Sequence, residues 1–529
     1  MVDCSAMCDD DAFRVFACLW GQMRLLRLCA LLCRRHMTLL QWLNATGPRG
    51  STALLSCVLG VAVPGEASLV AAACSSLAYV WDSLPDEADD GGMYELLVHL
   101  NMLAGLTWSL ATGRSACEGW LACTSANRGI FAVMCTAVPF AKLNRDYHDV
   151  RRSAGAILTL LAADGLTARF GVPVSILDKL LGDRGVTMLL RAGLIGFEVA
   201  EWLVPICVFC GCAEFAMSLS WTIYMLRGVA AFEFSCLMVV SIPLWLPQHH
   251  LHVLQWLTVT PNARCCSLIL AVVLLGPLLP QKLPIRGSPV HLLALCWMVA
   301  ANPLLYVWSP KWPSEATALP EGCSGTAIQS QLVWIVGQAT VALALLNSLS
   351  PYLGMKTQAT WTMFSNLRVE GGVSNHFLIP SSFQLFGYTS ECITVTRTDV
   401  PSLKQFHLRD MPTLQSFRGY AERAGMEVAI HSSSTLGSST TFQNNDSILP
   451  YAVPFFQLRS IVAGEMLFTF DNFSIEYLHC DAPHRFEVRH GLPMPGCDLR
   501  LTKIPPRLLR KFLIFRSLPS DDFSVCSAD

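Results

Sequence analysis

Residues 331–350 read QLVWIVGQATVALALLNSLS, twenty consecutive positions without an ionisable side chain. The hydrocarbon core of a bilayer is about 30 Å thick and asks for roughly 20 largely apolar residues per helix. The stretch is therefore read as a membrane span. In lipid every backbone polar group must be satisfied within its own segment, which makes a helix the expected form. Working outward, clear runs of the same kind occupy residues 54–80, 215–246, 265–279 and 291–309. Shorter or ionisable-containing ones occupy 97–112, 129–141, 154–165 and 186–211. None shows the two-residue alternation of a barrel strand. The expected fold is a mostly α integral membrane helical bundle with eight or nine transmembrane helices, followed by a small β-rich extramembrane domain. Its divisions are a basic, amphipathic segment at 1–50, a multi-pass domain at 51–350 and the β-rich domain at 351–529.

Composition supports this assignment. Of 529 residues, 53% are apolar and 14% charged, against roughly 45–50% and about 25% in soluble domains. With 26 Phe and 14 Trp the chain carries too much apolar surface to be disordered. A formal net charge of −2 gives no reason to expect nucleic acid as a partner; the bilayer is the expected one. The 22 cysteines lie mostly in apolar stretches, where Cys behaves as a small hydrophobe. Cys392, Cys480, Cys497 and Cys526 fall in the polar last third, and their spacing fixes no connectivity.

The first fifty residues contain Arg24, Arg27, Arg34, Arg35 and Arg49 and suit an interfacial amphipathic helix. Residues 82–92 hold five acids and no Lys or Arg, so the basic N-terminus is placed inside and this loop outside. Nine helices then put the C-terminal third outside, in the lumen of an endomembrane compartment. Beyond Pro351 the stretches Ile393–Thr398, Glu427–Ile430, Glu465–Phe470, Phe473–Leu478 and Phe486–Val488 read as strands. Asn445 and Asn472 open tripeptides of the glycosylation-acceptor form, compatible with a lumenal domain.

Ionisable residues in apolar helices are costly and usually face a cavity or the bundle interior. Lys142 stands out because it directly follows the run Ile130–Ala141, within Lys142-Leu143-Asn144-Arg145-Asp146-Tyr147. At the wall of a dry cavity a lysine loses the solvation of its charged form and becomes a general base near neutral pH. The alternative is a snorkelling lysine at a helix end with Asp146 as surface partner. His99 lies in a weakly apolar helix, where an imidazole either holds a ligand oxygen or bonds across to another helix. Glu198 and Glu201 share a helix face and are expected to pair with Arg191 or Arg227. Cys207, Cys210 and Cys212 lack the neighbours of a zinc site and are read as packing. His249, His250 and His252 are read as a wet loop, so no metal is expected.

The Lys142 string resembles a signature of the vitamin K-dependent γ-carboxylase and its relatives sharing the horizontally transferred transmembrane (HTTM) domain. That signature is Lys-Leu-(Asp/Asn)-x-Asp-aromatic after an apolar helix, and Lys142, Leu143, Asn144, Asp146 and Tyr147 match it. The resemblance implies that Lys142 is the base that deprotonates a vitamin K hydroquinone-like cofactor, with His99 as helper and Asp146 orienting the lysine loop. Dioxygen then adds, and the resulting strong base takes a γ-proton from glutamate so that carbon dioxide can add. A second block, Pro351–Thr357, Trp361–Arg368, Glu370–Gly372 and Ser374–His376, resembles uncharacterised bacterial and algal relatives in the same group. It concentrates Lys356, Arg368, Glu370, Asn375 and His376 just after the last apolar run, where a substrate-binding mouth or a docking seam is expected. One departure matters: where relatives carry a Phe-His pair, this chain has Tyr224-Met225-Leu226-Arg227 ahead of Phe232–Ser235. The reading is a quinone-dependent epoxidase or carboxylase acting through a lysine base. Its rival is a catalytically silent transporter or scaffold that displays the β domain.

Overall fold

The computed structural model describes residues 39–62, 66–83, 90–150, 174–210, 331–362, 365–400, 450–468, 472–480, 482–490, 492–503, 505–515 and 518–519, with isolated positions between them. They group into two compact units. One draws on Met1–Ser83, Gly91–Thr136 and Val199–Leu346; the other on Leu84–Asp90, Ala137–Glu198 and Asn347–Asp529.

The first unit is helical. Helix α1 (Leu39–Ala62) is broken at Gly47, φ 61°, ahead of Pro48, as expected where proline removes a helical hydrogen bond. The expected single span at 54–80 is instead two helices, because α1 ends at Ala62 and α2 begins at Glu66 (Glu66–Ser83). The intervening sequence contains Pro64-Gly65, a strong break signal. Ser75 Oγ donates to Ser56 Oγ at 2.7 Å and links the two helices. Helix α3 (Asp90–Thr112) turns through Gly113, φ 65°, into α4 (Ala116–Ala141). Ser115 and Glu118 close a reciprocal cap at the start of α4: Glu118 N donates to Ser115 Oγ at 3.3 Å and Ser115 N to Glu118 Oε2 at 3.1 Å.

Gly105 on α3 and Gly119 on α4 bring the two backbones together. A Cβ at Gly105 would lie 2.3 Å from the Gly119 carbonyl oxygen, and one at Gly119 would lie 2.5 Å from that of Gly105. Small residues at such a crossing are the usual device of helices that associate in lipid.

Among the described residues, three helices are long and apolar enough to cross a membrane: Glu118–Ala141 in α4, Arg184–Phe209 in α6 (Val174–Phe209) and Gln331–Leu349, which is α7. The short α5 (Arg145–His148) lies between α4 and α6. The surface of α7 is inverted relative to a soluble helix. Trp334 is 63% exposed and Leu332, Ile335, Leu343 and Leu345 are exposed with it, whereas Thr340 and Asn347 are buried. An apolar outside with polar and small residues inside is the pattern lipid imposes. The chain is therefore a helix-rich protein with membrane-spanning helices. The expected spans at 265–279 and 291–309 lie outside the described residues, as does most of 215–246, including Tyr224–Arg227 and Phe232–Ser235.

The second unit contains a six-stranded antiparallel sheet in the order β5-β4-β3-β1-β2-β6. Its strands are β1 (Cys392–Thr398), β2 (Tyr451–Pro454), β3 (Phe473–His479), β4 (Ala482–Arg489), β5 (Leu492–Pro493) and β6 (Leu518–Pro519). Inward residues alternate along β3, where Phe473, Ile475 and Tyr477 are buried. They pack with Val395, Phe486, Val488 and, from helix α8 (Phe455–Phe468), Leu458 and Val462. The expected strands at 393–398, 473–478 and 486–488 are present. The one expected at Glu465–Phe470 is overturned as far as Phe468, which ends α8. The helix forms because Leu458 and Val462, four apart, bury one face on the sheet. The stretch Glu427–Ile430 lies outside the described residues. Cys392, Cys480 and Cys497 are free thiols.

Replacing Gly105 by Leu is expected to force α3 and α4 apart and to destabilise the protein by about 1–3 kcal/mol or more. Thermal unfolding of detergent-purified protein would show a lowered midpoint, while the same change at Gly196, whose Cβ meets nothing within 4 Å, would leave it nearly unmoved.

Candidate functional site

The second unit joins two segments far apart in sequence, residues 140–148 and residues 350–379. Asn144 caps α5 by accepting from Tyr147 N at 2.9 Å, while its amide donates to the carbonyls of Ala141 at 2.8 Å and Ser365 at 2.5 Å. Asn375 answers from the other segment. Its Nδ2 donates to Asp146 Oδ2 at 2.7 Å, to the Asn366 carbonyl at 2.8 Å and, more weakly, to Asn144 Oδ1 at 3.3 Å; its Oδ1 accepts from Arg368 N at 2.8 Å. Backbone bonds run alongside: Arg145 N to the Asn375 carbonyl at 3.1 Å and Phe377 N to the Leu143 carbonyl at 2.9 Å. Both amides thus use donors and acceptors together, which a buried amide must do to offset its desolvation.

His376 is held by the same seam. Its Nε2 lies 3.0 Å from the Phe140 carbonyl and therefore donates, while Nδ1 accepts from Leu378 N and Ile379 N, each at 3.2 Å. Burial pushes its pKa down, and the bond to the Phe140 carbonyl partly opposes that. A neutral ring fixed at both nitrogens is a structural staple. Phe140, Tyr352 and His376 form an aromatic group with centroid separations of 4.8–5.8 Å. The Tyr352 hydroxyl is buried without a hydrogen-bond partner among the described residues, and burial raises its pKa.

Lys142 follows α4 directly and is fully buried. Its Nζ sits 5.6 Å from the centroid of the Tyr147 ring, within range of a cation–π contact. It also interacts electrostatically with Glu198. Glu198 is 3.6 Å from His148 Nε2, so among the described residues its partner is a histidine and not the expected Arg191, which is exposed; the other expected partner, Arg227, lies outside the described residues.

Lys356 occupies a strained loop. Ala359, Trp361 and Asn366 adopt φ of 56°, 59° and 54°, a region that costs non-glycine residues of order 1–3 kcal/mol each. Asp90 offsets part of this: its carboxylate accepts from Trp361 N at 2.6 Å and its carbonyl from the indole at 3.0 Å. Lys356 Nζ donates to the Ala359 carbonyl at 3.3 Å. Burial lowers the Lys356 pKa to about 8, against an upward pull from Asp90.

Of the residues singled out by sequence, Asp146, Asn375 and His376 are brought together, and Lys142 lies in the same segment. Arg368 shares the seam through its backbone, and Glu370 is buried with Oε2 accepting from Val369 N at 3.0 Å. His99 belongs to the first unit. There its Nε2 accepts from Trp20 Nε1 at 2.9 Å, and its Nδ1 is 3.7 Å from Glu95 Oε1. Glu95 also accepts from Arg24 Nε at 2.8 Å and from Ser76 Oγ at 2.5 Å. Arg24, read as a basic flank, is thus a buried ion-pair partner. Sequence reasoning passed over Glu95 as well, although an acid inside α3 was a usable signal.

The sheet carries a further polar group. A pocket of about 660 Å³ is lined by His479, His484, Arg485, Asp498 and Arg500 among others. Arg500 and Tyr477 both donate to Asp498, and these bonds hold its carboxyl well below the usual range. Among the described residues no group of three or more His, Cys, Asp or Glu is placed to hold a metal ion.

Comparison with known proteins gives no match to a family model, to a curated protein or to a solved structure.

The buried lysine makes stability pH-dependent with a definite sign. Lys356 has a folded pKa near 8 against 10.5 unfolded, so between those values the unfolded chain binds more protons and stability rises with pH. The gain is on the order of 3 kcal/mol by pH 10.5 and absent below about pH 7. Comparing thermal midpoints of wild type and Lys356→Met across pH 7 to 10 isolates it, since the variant should lose that rise. Separately, Asn144→Ala removes a helix cap and two bonds to buried carbonyls and is expected to cost about 2–4 kcal/mol in denaturant unfolding.

Proposed function

We propose that this chain is a membrane-embedded enzyme of the HTTM and vitamin K-dependent carboxylase type, in which Lys142 accepts a proton from a reduced, quinone-like lipophilic molecule. The observation that carries this reading is the complete burial of Lys142 at the end of a helix long enough to span a bilayer. An amine kept from bulk water exchanges its proton with an oily ligand in preference to solvent. Tyr147 and Glu198 beside it fix where the resulting ammonium sits.

The residues present suit such a molecule. Tyr352 contributes a buried hydroxyl with no hydrogen-bond partner among the described residues, and Phe140, Ala141, Leu367 and Val369 supply an apolar shell around it. That combination is what holds an aromatic ring bearing one polar oxygen. When bound, the quinol supplies the electrons that reduce dioxygen, ending as an epoxide with release of water. The chain's own residues then have three tasks: Lys142 takes the phenolic proton, Tyr352 orients an oxygen, and the Asn144–Asn375 clasp holds the lysine segment in register. With this reading goes a bundle of eight or nine spans, supported by the apolar stretches at 265–279 and 291–309, which hold no Asp, Glu, Lys or Arg, and a sheet domain facing an endomembrane lumen.

A second reading has its own support. Asp146, Asn375 and His376 are all engaged by internal hydrogen bonds, as they would be in a catalytically silent membrane scaffold that displays the sheet domain.

The two readings part on one experiment. Detergent-purified wild type supplied with vitamin K hydroquinone and dioxygen is expected to form epoxide, and Lys142→Ala to form it at least about a hundredfold more slowly with an unchanged thermal midpoint. Absence of turnover in wild type overturns the enzymatic reading, as does full turnover in the variant.

A further inference from the structure

From Gly371 to Ser390 the chain contains no Asp, Glu, Lys or Arg. Within that stretch Val373, Phe377, Leu378, Phe383, Leu385 and Phe386 are exposed, Leu385 by 74% and Leu378 by 65%. Six large apolar side chains facing outward within fourteen positions is not the pattern of a loop that meets water.

Nor is the loop free to fold them inward, because its backbone is pinned at several points. Phe377 N donates to the Leu143 carbonyl and Phe386 N to the Leu353 carbonyl, each at 2.9 Å. Ser374 Oγ donates to the Ile379 carbonyl at 2.7 Å, and Gln384 Nε2 to the carbonyls of Val369 and Val373, both at 2.8 Å. The apolar side chains are therefore displayed on a rigid platform. The one ionisable group of the segment, His376, is buried and held neutral inside it.

The anchor points say what covers this surface. Leu143 lies two residues past Ala141, the end of one membrane-length helix, and Leu353 lies four past Leu349, the end of another. Two spans thus end where the loop is attached, which sets it at the level where the hydrocarbon core gives way to headgroups. An uncharged, aromatic-bearing surface suits that level.

We infer that residues 373–386 form a membrane-inserted loop that seats its exposed Phe and Leu side chains among lipid acyl chains at the level of the ends of α4 and α7, Ala141 and Leu349. The inference rests on these helices spanning a bilayer and is independent of any chemistry at Lys142. The loop would tie the lysine segment to the bilayer surface, since Asn375 and Phe377 carry the bonds to Arg145 and Leu143.

The test uses the full chain reconstituted in phosphatidylcholine nanodiscs, with a photo-crosslinking benzoylphenylalanine introduced as Leu385→benzoylphenylalanine or, as an independent second site, Leu378→benzoylphenylalanine. Arg485, which is 61% exposed on β4, serves as the reference position. On irradiation, lipid adducts read by intact-mass spectrometry are expected at both loop positions, severalfold above the reference. Lipid labelling no higher than at position 485 overturns the inference, and so does crosslinking to a second copy of the chain or to another protein in place of lipid.

Discussion

The Asn144–Asn375 clasp is the interaction on which the second unit depends. Two carboxamides from segments more than two hundred positions apart share one hydrogen bond, and their remaining donors and acceptors reach the caps and carbonyls on both sides. Each amide has its valence used on at least three groups, so neither can be replaced by an isosteric carboxylate or an aliphatic side chain without leaving a buried carbonyl or N–H unmet. Because Asn144 begins α5 and Asn375 precedes His376, the clasp also sets the position of the Lys142 segment, the aromatic group around Tyr352 and the pinned end of the apolar loop.

Buried charge is the second theme. Each unit holds ionisable side chains out of water, and each resolves the cost in its own way. In the first unit Arg24, Glu95 and Ser76 satisfy one another directly, with His99 and Trp20 closing the group. That arrangement is a self-contained network of the kind that fixes helices in a bundle. In the second unit Lys356 is held against a backbone carbonyl with a carboxylate only in the neighbourhood, and Lys142 lies against an aromatic ring. Lys356 is less completely compensated than Arg24, and the backbone around it is strained as well. Incomplete compensation and strain together mark the places where a fold has been shaped by something other than stability.

Much of the fold was legible in the sequence where a single physical rule governed a long stretch. Apolar runs announced the spans of α4, α6 and α7, that of α7 without an ionisable residue and that of α6 despite Arg191, Glu198 and Glu201, and the alternation of Phe473, Ile475 and Tyr477 announced β3. The rule failed where two patterns overlapped. Residues 54–80 are apolar throughout but contain Pro64-Gly65, and the local break won over the hydropathy window. The stretch 465–470 reads as a strand in isolation through Phe468, Thr469 and Phe470, yet Glu465–Phe468 continue a helix whose earlier turns already bury Leu458 and Val462.

The sequence by itself determined that this chain carries apolar helices of membrane-spanning length, that strands at 393–398, 473–478 and 486–488 follow them, and that Lys142 and the 351–376 block are unusual polar features. Those properties follow from composition and short-range periodicity, which are local. Only the tertiary structure decided that Asp146, Asn375 and His376 meet, that Arg24 pairs with Glu95 and that the residues around 373–386 point outward. Such facts depend on which distant segments share a hydrogen bond. A hydrogen bond between side chains far apart in the chain leaves no periodic trace in either segment.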